Sequence, residues 1–410
     1  MELKAQQLIV LLVSMFIFTL GFGIIVPVFG YLTKDMGASA LDLGLLMATM
    51  SAMQFLCAPT WGKLSDKIGR KPVMLIGLFG FALSFILTGF STQLWMLFAA
   101  QIIGGLLSAG IWPAVLAYVT DISSPEERGK LMGFMGAASG LGIIVGPAIS
   151  SILASWGLTV PFFAAAGIAL VTLVMSVFLL PESLQKGKHI HKGPKVALLD
   201  TLKTPLGAVF FIMLLVSFAG ACLDGTAAYF IMDKFSLTEQ ASSMPVLNST
   251  MTLTGPNVMG IIFTVMGIVS VVSQLAVGPL IQKYGEKNTM VFGLILVAAG
   301  MICMPFSIGL ASLVLTVCVM GIGMNLVNPA VNTLVSKQAP PDRIGAMMGL
   351  LGSFNSVGRV LGPSVGGAAY MISMTLPYIG SAVVAAGCAG AMALMGKRLG
   401  APGESESATQ

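Results

Sequence analysis

Gly62-Lys-Leu-Ser-Asp-Lys-Ile-Gly-Arg-Lys71 and Gly278-Pro-Leu-Ile-Gln-Lys-Tyr-Gly-Glu-Lys287 are two versions of one stretch, 216 residues apart. The same spacing carries Pro113-Ala-Val115 onto Pro329-Ala-Val331. It carries Gly129, Met132, Gly133 and Gly136 onto Gly345, Met348, Gly349 and Gly352, and Gly142, Gly146 and Pro147 onto Gly358, Gly362 and Pro363. A single ungapped register over so many positions marks an internal duplication, in which two halves share one structural plan.

The chain around these stretches is apolar. Of 410 residues, 56% are hydrophobic and 9% are charged, and the mean hydropathy is +0.94. A soluble domain carries about 25% charged residues. Hydrocarbon must therefore cover much of this surface, which excludes soluble enzymes, disordered chains and collagen-like chains. A helix of about 20 apolar residues crosses a bilayer. Twelve runs qualify: 7–29, 42–61, 72–90, 94–120, 129–154, 160–180, 206–231, 257–281, 289–308, 311–335, 345–372 and 376–396. The first exceeds a signal-peptide core, and no small-residue cleavage site follows it.

Charge orients these runs. With the N-terminus inside, 18 of the 21 Lys and Arg residues fall on the cytoplasmic side, only Lys34 and Lys234 fall outside, and Arg359 lies within a span. Positive residues concentrate on cytoplasmic loops, so both termini are expected there. The net charge of +5 then reflects topology and gives no sign of a nucleic-acid partner. The reading divides the chain into a six-helix bundle over 1–184, a cytoplasmic linker over 185–205, a second six-helix bundle over 206–396 and a tail over 397–410. His189 and His191 share the linker without a metal-ligand cluster. Cys57, Cys222, Cys303, Cys318 and Cys388 lie in apolar runs and are expected as buried small hydrophobes. No metal site, phosphate-binding loop or catalytic triad is present in the pattern, so no enzyme is expected.

The stretch Gly62–Lys71 reads G-x-L-x-D-x-x-G-R-K. Gly62 and Gly69 permit a tight turn between spans 2 and 3. Asp66 can accept from free N–H groups at a helix start, and Arg70 can reach Asp121 at the end of span 4. Together they form an expected cytoplasmic latch. This pattern closely resembles the signature loop of the major facilitator superfamily. Gly142-Ile-Ile-Val-Gly146-Pro147, in span 5, resembles that family's antiporter motif and is expected as a bend and packing seam between the halves. With Gly21-Phe-Gly23-Ile-Ile-Val-Pro27, it makes the chain similar to the twelve-span drug–proton antiporter branch.

The resemblance implies an all-α membrane protein of two pseudo-symmetric six-helix bundles, with substrate held near mid-membrane and exposed to each side in turn. It implies a monomeric exporter of small amphipathic, cationic or lipophilic compounds in the plasma (bacterial inner) membrane. The proton gradient is the energy source, with no cofactor. The sequence also departs from the branch. Gln101 stands where span 4 usually carries Arg, and Asn325 and Asn328 stand where related exporters carry Asp and Arg. Gln282 and Glu286 replace the Asp and Arg of the second signature loop.

Two charged residues lie deep within spans, Asp224 in span 7 and Arg359 in span 11. Each costs about 2.5–3.5 kcal/mol at a helix centre, so each requires a partner or a function. Asp224 and Arg359 are the candidates for proton coupling. They can alternatively form a fixed ion pair, or Arg359 can neutralise an anionic substrate. Polar stripes mark further candidates for the substrate cavity: Gln101, Ser108 and Trp112 in span 4, Asn325, Asn328 and Asn332 in span 10, and Tyr229 beside Asp224. Such groups also join helix to helix. The replaced Arg and Asp keep a second reading open, an exporter or importer of a defined metabolite such as a sugar or organic anion.

Overall fold

A computed structural model describes residues 2–123, 125–184, 204–237, 242–246, 249–339 and 344–395. The linker expected over 185–205 falls outside these apart from its last two positions, and the tail over 397–410 falls wholly outside them. Buried backbone in hydrocarbon has no water to bond, so the chain satisfies it within helices. These are α1 (Glu2–Asp35), α2 (Ala40–Ile68), α3 (Arg70–Phe90), α4 (Leu94–Ser108), α5 (Ile111–Ile122), α6 (Pro125–Leu153) and α7 (Val160–Leu179). After residue 204 come α8 (Pro205–Phe235), α9 (Gly255–Cys303), α10 (Leu310–Gln338), α11 (Ile344–Ile372) and α12 (Leu376–Leu394). Ten helical stretches among the described residues are long and apolar enough to cross a membrane, with Leu94–Ile122 counted as one.

Two glycines at matching places in the repeat turn the chain. Helix α9 has 49 residues, which at 1.5 Å per residue is about 74 Å, more than twice a hydrocarbon core. It breaks at Gly285, whose φ is +80°. Its counterpart Gly69, at φ +112°, ends α2 and lets α3 begin at the next residue. A side chain at Gly69 is blocked twice over, by this φ and by Glu182 Oε2, 2.2 Å from where a Cβ would lie.

The polar contacts around these turns repeat at the same spacing. Arg70 Nε donates to Asp121 Oδ2 at 3.2 Å, while Glu286, 216 residues on from Arg70, is ion-paired with Lys337, 216 residues on from Asp121. Lys71 Nζ donates to the Val177 carbonyl at 2.7 Å, and Lys287 Nζ to the Ala393 carbonyl at 3.0 Å. The acid and base of the first pair have thus exchanged places in the second.

The first cluster is the more deeply buried. Arg70, with 8% of its side chain exposed, also donates to Ser65 Oγ at 3.0 Å and is ion-paired with Asp66. The N–H groups at the start of α3 were expected to go to Asp66. They go instead to Glu182, which accepts from Arg70 N at 2.8 Å and Lys71 N at 3.1 Å. Asp66 lies in the last turn of α2, within reach of the guanidinium, whereas Glu182 follows α7 and arrives from beyond the helix end. Ser183 Oγ adds a hydrogen bond to Asp121 Oδ2 at 3.0 Å. All these partners precede residue 185, so in this structure the cluster ties α2, α3, α5 and the end of α7 together.

The connection between α8 and α9 contains a hairpin. Strand β1 (Ser242–Val246) pairs antiparallel with β2 (Ser249–Leu253), Ser242 opposite Leu253. This longer connection shifts the first helix of the second half. A Cβ on Gly142 would meet Phe16 O and Leu20 N, and one on Gly358 would meet Leu214 O and Phe218 N. Helix α8 therefore corresponds to α1 at a spacing of 198, not 216.

The two halves meet at the end away from the basic turns. A Cβ on Gly44 (α2) would lie 2.1 Å from Pro363 O (α11), one on Gly367 (α11) 2.3 Å from Ala40 O (α2), and one on Gly260 (α9) 2.3 Å from Ser151 Cβ (α6). Lys34 Nζ donates to Asp233 Oδ1 at 2.6 Å across the same end, and Tyr229 OH to Ala38 O at 2.6 Å. At the basic end of these four helices, the Cβ positions of Gly62, Gly136, Gly278 and Gly352 meet no described atom within 4 Å beyond their own stretch of helix. The molecule is closed at one end and splayed at the other.

Two pairs of substitutions test this packing. Arg70→Gln removes charge-assisted hydrogen bonds from a buried site and is expected to cost about 1.5–3 kcal/mol, whereas Glu286→Gln, whose partner Lys337 is 67% exposed, is expected to cost less than about 1 kcal/mol. Gly142→Val drives a side chain into the α1 backbone and is expected to cost about 1–3 kcal/mol or more; Gly136→Ala meets open space and should leave stability within about 0.5 kcal/mol. Unfolding in mild detergent, followed by circular dichroism, measures both. Equal losses within either pair would contradict the packing described.

Candidate functional site

Helix α8 carries Asp224 because its neighbours let another helix approach it. A Cβ on Gly225 would lie 2.9 Å from Pro363 Cα, so α11 runs against α8 beside the carboxylate. Cys222 Sγ also contacts Gly362 O at 3.1 Å. Arg359 stands four residues before Pro363, one turn along the same face of α11. The approach at Gly225 thereby brings Arg359 to the same cleft as Asp224. From the first half, Gly105 admits α2 at Met50, with a Cβ position 2.8 Å from Met50 O, and Gln101 lies one turn away, 5% exposed.

These residues line one cleft, enclosing about 620 Å³ of empty space, part of it open to solvent. Its walls are apolar and soft, with Phe22, Phe29, Met47 and Met50 prominent, and its polar groups are Ser51, Gln101, Asp224 and Arg359. Small-molecule sites have this make-up, a hydrophobic lining with few polar groups. Five helices contribute side chains: the first helix of each half, α1 and α8, together with α2, α4 and α11. Among the described residues, neither Asp224 nor Arg359 has an ion-pair partner within 4.0 Å. The fixed pair weighed from sequence is therefore not formed in this structure.

The other candidates for the cavity stand elsewhere. Ser108 is buried and accepts from Gln54 Nε2 at 3.2 Å, tying α4 to α2. Trp112 is 46% exposed on α5 and is not among the lining residues of this cleft. Tyr229 is 4% exposed, and its hydroxyl is held by Ala38 at the closed end. Asn325 donates to Ser270 Oγ and to Gly321 O, each at 2.8 Å, so it joins α10 to α9. Asn328 donates to Met324 O at 3.2 Å within its own helix, and Asn332 is exposed. Gly142 and Gly146 face α1, in their own half, and not the other half as expected; Pro147 O, by contrast, faces Gly260 of α9 at 3.1 Å. Of the five cysteines, Cys222 and Cys388 are buried while Cys303 is exposed.

Sequence reasoning passed over Lys34, Asp233 and Tyr370, which join at the closed end. Asp233 Oδ2 accepts from Tyr370 OH at 2.9 Å, and the Lys34 ammonium stands 5.3 Å from the Tyr229 ring centre. The available signal was the pair of basic residues, Lys34 and Lys234, that positive-inside topology left on the wrong side. Lys234 donates to the Pro305 carbonyl and stands 5.5 Å from the Phe230 ring centre.

Comparison with known proteins agrees with this architecture. A family model described as Major Facilitator Superfamily matches residues 11–255 and 209–409. Multidrug resistance protein 2 of Bacillus subtilis (strain 168) is 32% identical over 384 residues, covering 90% of each chain. The class C tetracycline resistance protein of Escherichia coli is 31% identical over 391 residues, again covering 90% of each. Among solved structures, a bacterial homologue of the human lysosomal transporter Spinster, in an inward-facing and occupied conformation, superposes with a TM-score of 0.77 at 13% identity. That likeness covers 95% of this chain and 96% of the other, and it is a likeness of fold. The duplicated helical plan and the match along both halves place the chain in the Major Facilitator Superfamily.

Proposed function

We propose that this protein is a secondary exporter of small amphipathic compounds, cationic or lipophilic, driven by inward proton movement. The observation that carries the reading is the carboxylate of Asp224, without an ion-pair partner within 4.0 Å among the described residues, in a cleft of Phe and Met side chains between the halves. A carboxylate so placed can hold either a proton or a cationic group of a substrate, and exchange between the two couples their movements. Two relatives bear the names of multidrug and tetracycline resistance proteins, which supports export of such compounds.

The architecture proposed for this work is twelve spans in two six-helix bundles. Dividing the Gly255–Phe306 stretch at Gly285 and adding α11 takes the ten apolar stretches to twelve. The basic turns then lie in the cytoplasm with both termini, and the protein works as a monomer in the plasma (bacterial inner) membrane. On this orientation the splayed end opens inward. Alternating access would part the Lys34–Asp233 end and bring together the basic ends of α2, α6, α9 and α11, whose uncrowded glycines leave room for contact. The Asp66, Arg70 and Asp121 cluster holds the cytoplasmic edge of the first bundle rigid during that motion. No cofactor takes part.

Purified protein in liposomes with an imposed proton gradient, offered a lipophilic cationic dye, tests this. Dye should move against its gradient, and each transported charge should be matched by proton movement. Asp224→Asn is expected to lower gradient-driven flux at least tenfold while the protein still elutes as a folded species. Full flux in that variant would remove Asp224 from the coupling step.

A further inference from the structure

The cleft contains one acid and one base, and no ion pair within 4.0 Å joins them. We propose that the preferred substrate is a zwitterion: an amphipathic molecule whose ammonium meets Asp224 and whose carboxylate, or similar anion, meets Arg359. This deepens the export reading above and rests on it.

The argument is one of charge and solvation. While the cleft is open, water can surround both side chains. When the protein closes around a substrate, that water must leave, and a dehydrated charge is costly unless it is paired. A simple cation seated at Asp224 leaves Arg359 unpaired, beside a second positive charge. A simple anion at Arg359 leaves Asp224 in the same condition. A zwitterion satisfies both and adds no net charge to a cleft whose lining carries one charge of each sign. Gln101, buried in the same cleft, supplies an amide that can donate to an anion and accept from a cation, and so is compatible with either end of the molecule. The aromatic rings of Phe22 and Phe29 and the thioethers of Met47 and Met50 accept the apolar body. The approach of α11 to α8 at Gly225 sets the backbones from which the two charged side chains reach the cleft.

A matched set of fluorescent ligands provides the test. Nε-dansyl-lysine is a zwitterion, its methyl ester a cation and its Nα-acetyl derivative an anion, all with one apolar body. Affinities are measured by fluorescence on the full-length protein in detergent, without any gradient. The wild type should bind the zwitterion at least tenfold more tightly than either derivative. Arg359→Gln should bring the zwitterion down to the affinity of the ester, and Arg359→Lys should restore part of the difference. Asp224→Asn should bring it down to the affinity of the acetyl derivative. Equal affinities for zwitterion and ester in the wild type would overturn the proposal, as would an Arg359→Gln variant that keeps the wild-type ratio. If either variant fails to fold, as shown by its elution and circular dichroism, the three wild-type affinities still decide. Preference for the zwitterion without gradient-driven flux would keep this site and sink the export reading. Flux of the ester with no such preference would do the reverse.

Discussion

Helices in hydrocarbon gain nothing by hiding apolar side chains from lipid, so their association depends on how closely their backbones can approach. In this protein that approach occurs at glycine. Within the first half, Gly142 and Gly146 bring α6 against α1, and within the second, Gly358 and Gly362 bring α11 against α8. Between the halves, Gly44 and Gly367 bring α2 and α11 within backbone contact at one end only. Dispersion falls steeply with distance, so an end joined in this way is held firmly, while the opposite end is free to part. The same property places the cleft, since Gly225 and Gly105 set how near α11 and α2 come to Asp224 and Gln101.

Charge is distributed with equal economy of means. The Arg70–Asp121 and Glu286–Lys337 pairs occupy matching places with their signs exchanged. Coulomb attraction is indifferent to which partner is the acid, so a duplicated site keeps the pair when both members change. The environments differ: Arg70 is enclosed and shared between two carboxylates, whereas Lys337 is largely in solvent. The first half therefore has the stiffer basic edge.

Much of the fold was legible in the sequence because hydrocarbon imposes simple demands on length and composition. The apolar runs, the turn at Gly69 and the duplication at 216 appear as helices, a backbone break and repeated contacts, whereas Gly62, expected in the same turn, lies inside α2. The same register failed for the first helix of each half, because the hairpin connection lengthens one half and moves the spacing to 198. The role of Glu182 at the start of α3 was also hidden, since the two are more than a hundred residues apart in the chain. Stripes of Asn and Ser misled for another reason. Periodicity shows that Asn325 and Asn328 share a face, but Asn325 turns to Ser270 and its own helix, and Asn328 to its own backbone.

By itself, then, the amino-acid sequence determined that the chain is a duplicated set of apolar helices, that its basic residues gather on one side, and that Asp224 and Arg359 have no topological explanation. These follow from composition and spacing along the chain. Only the tertiary structure decided that the two charges face one cleft without joining, that Gln101 shares it, and that the halves meet at the end away from the basic turns. Asp224 and Arg359 are separated by 135 positions in the sequence. Their meeting depends on the rotation of α8 and α11 about their axes, which is set by where glycine lets one backbone touch another, and no pattern within either helix encodes it.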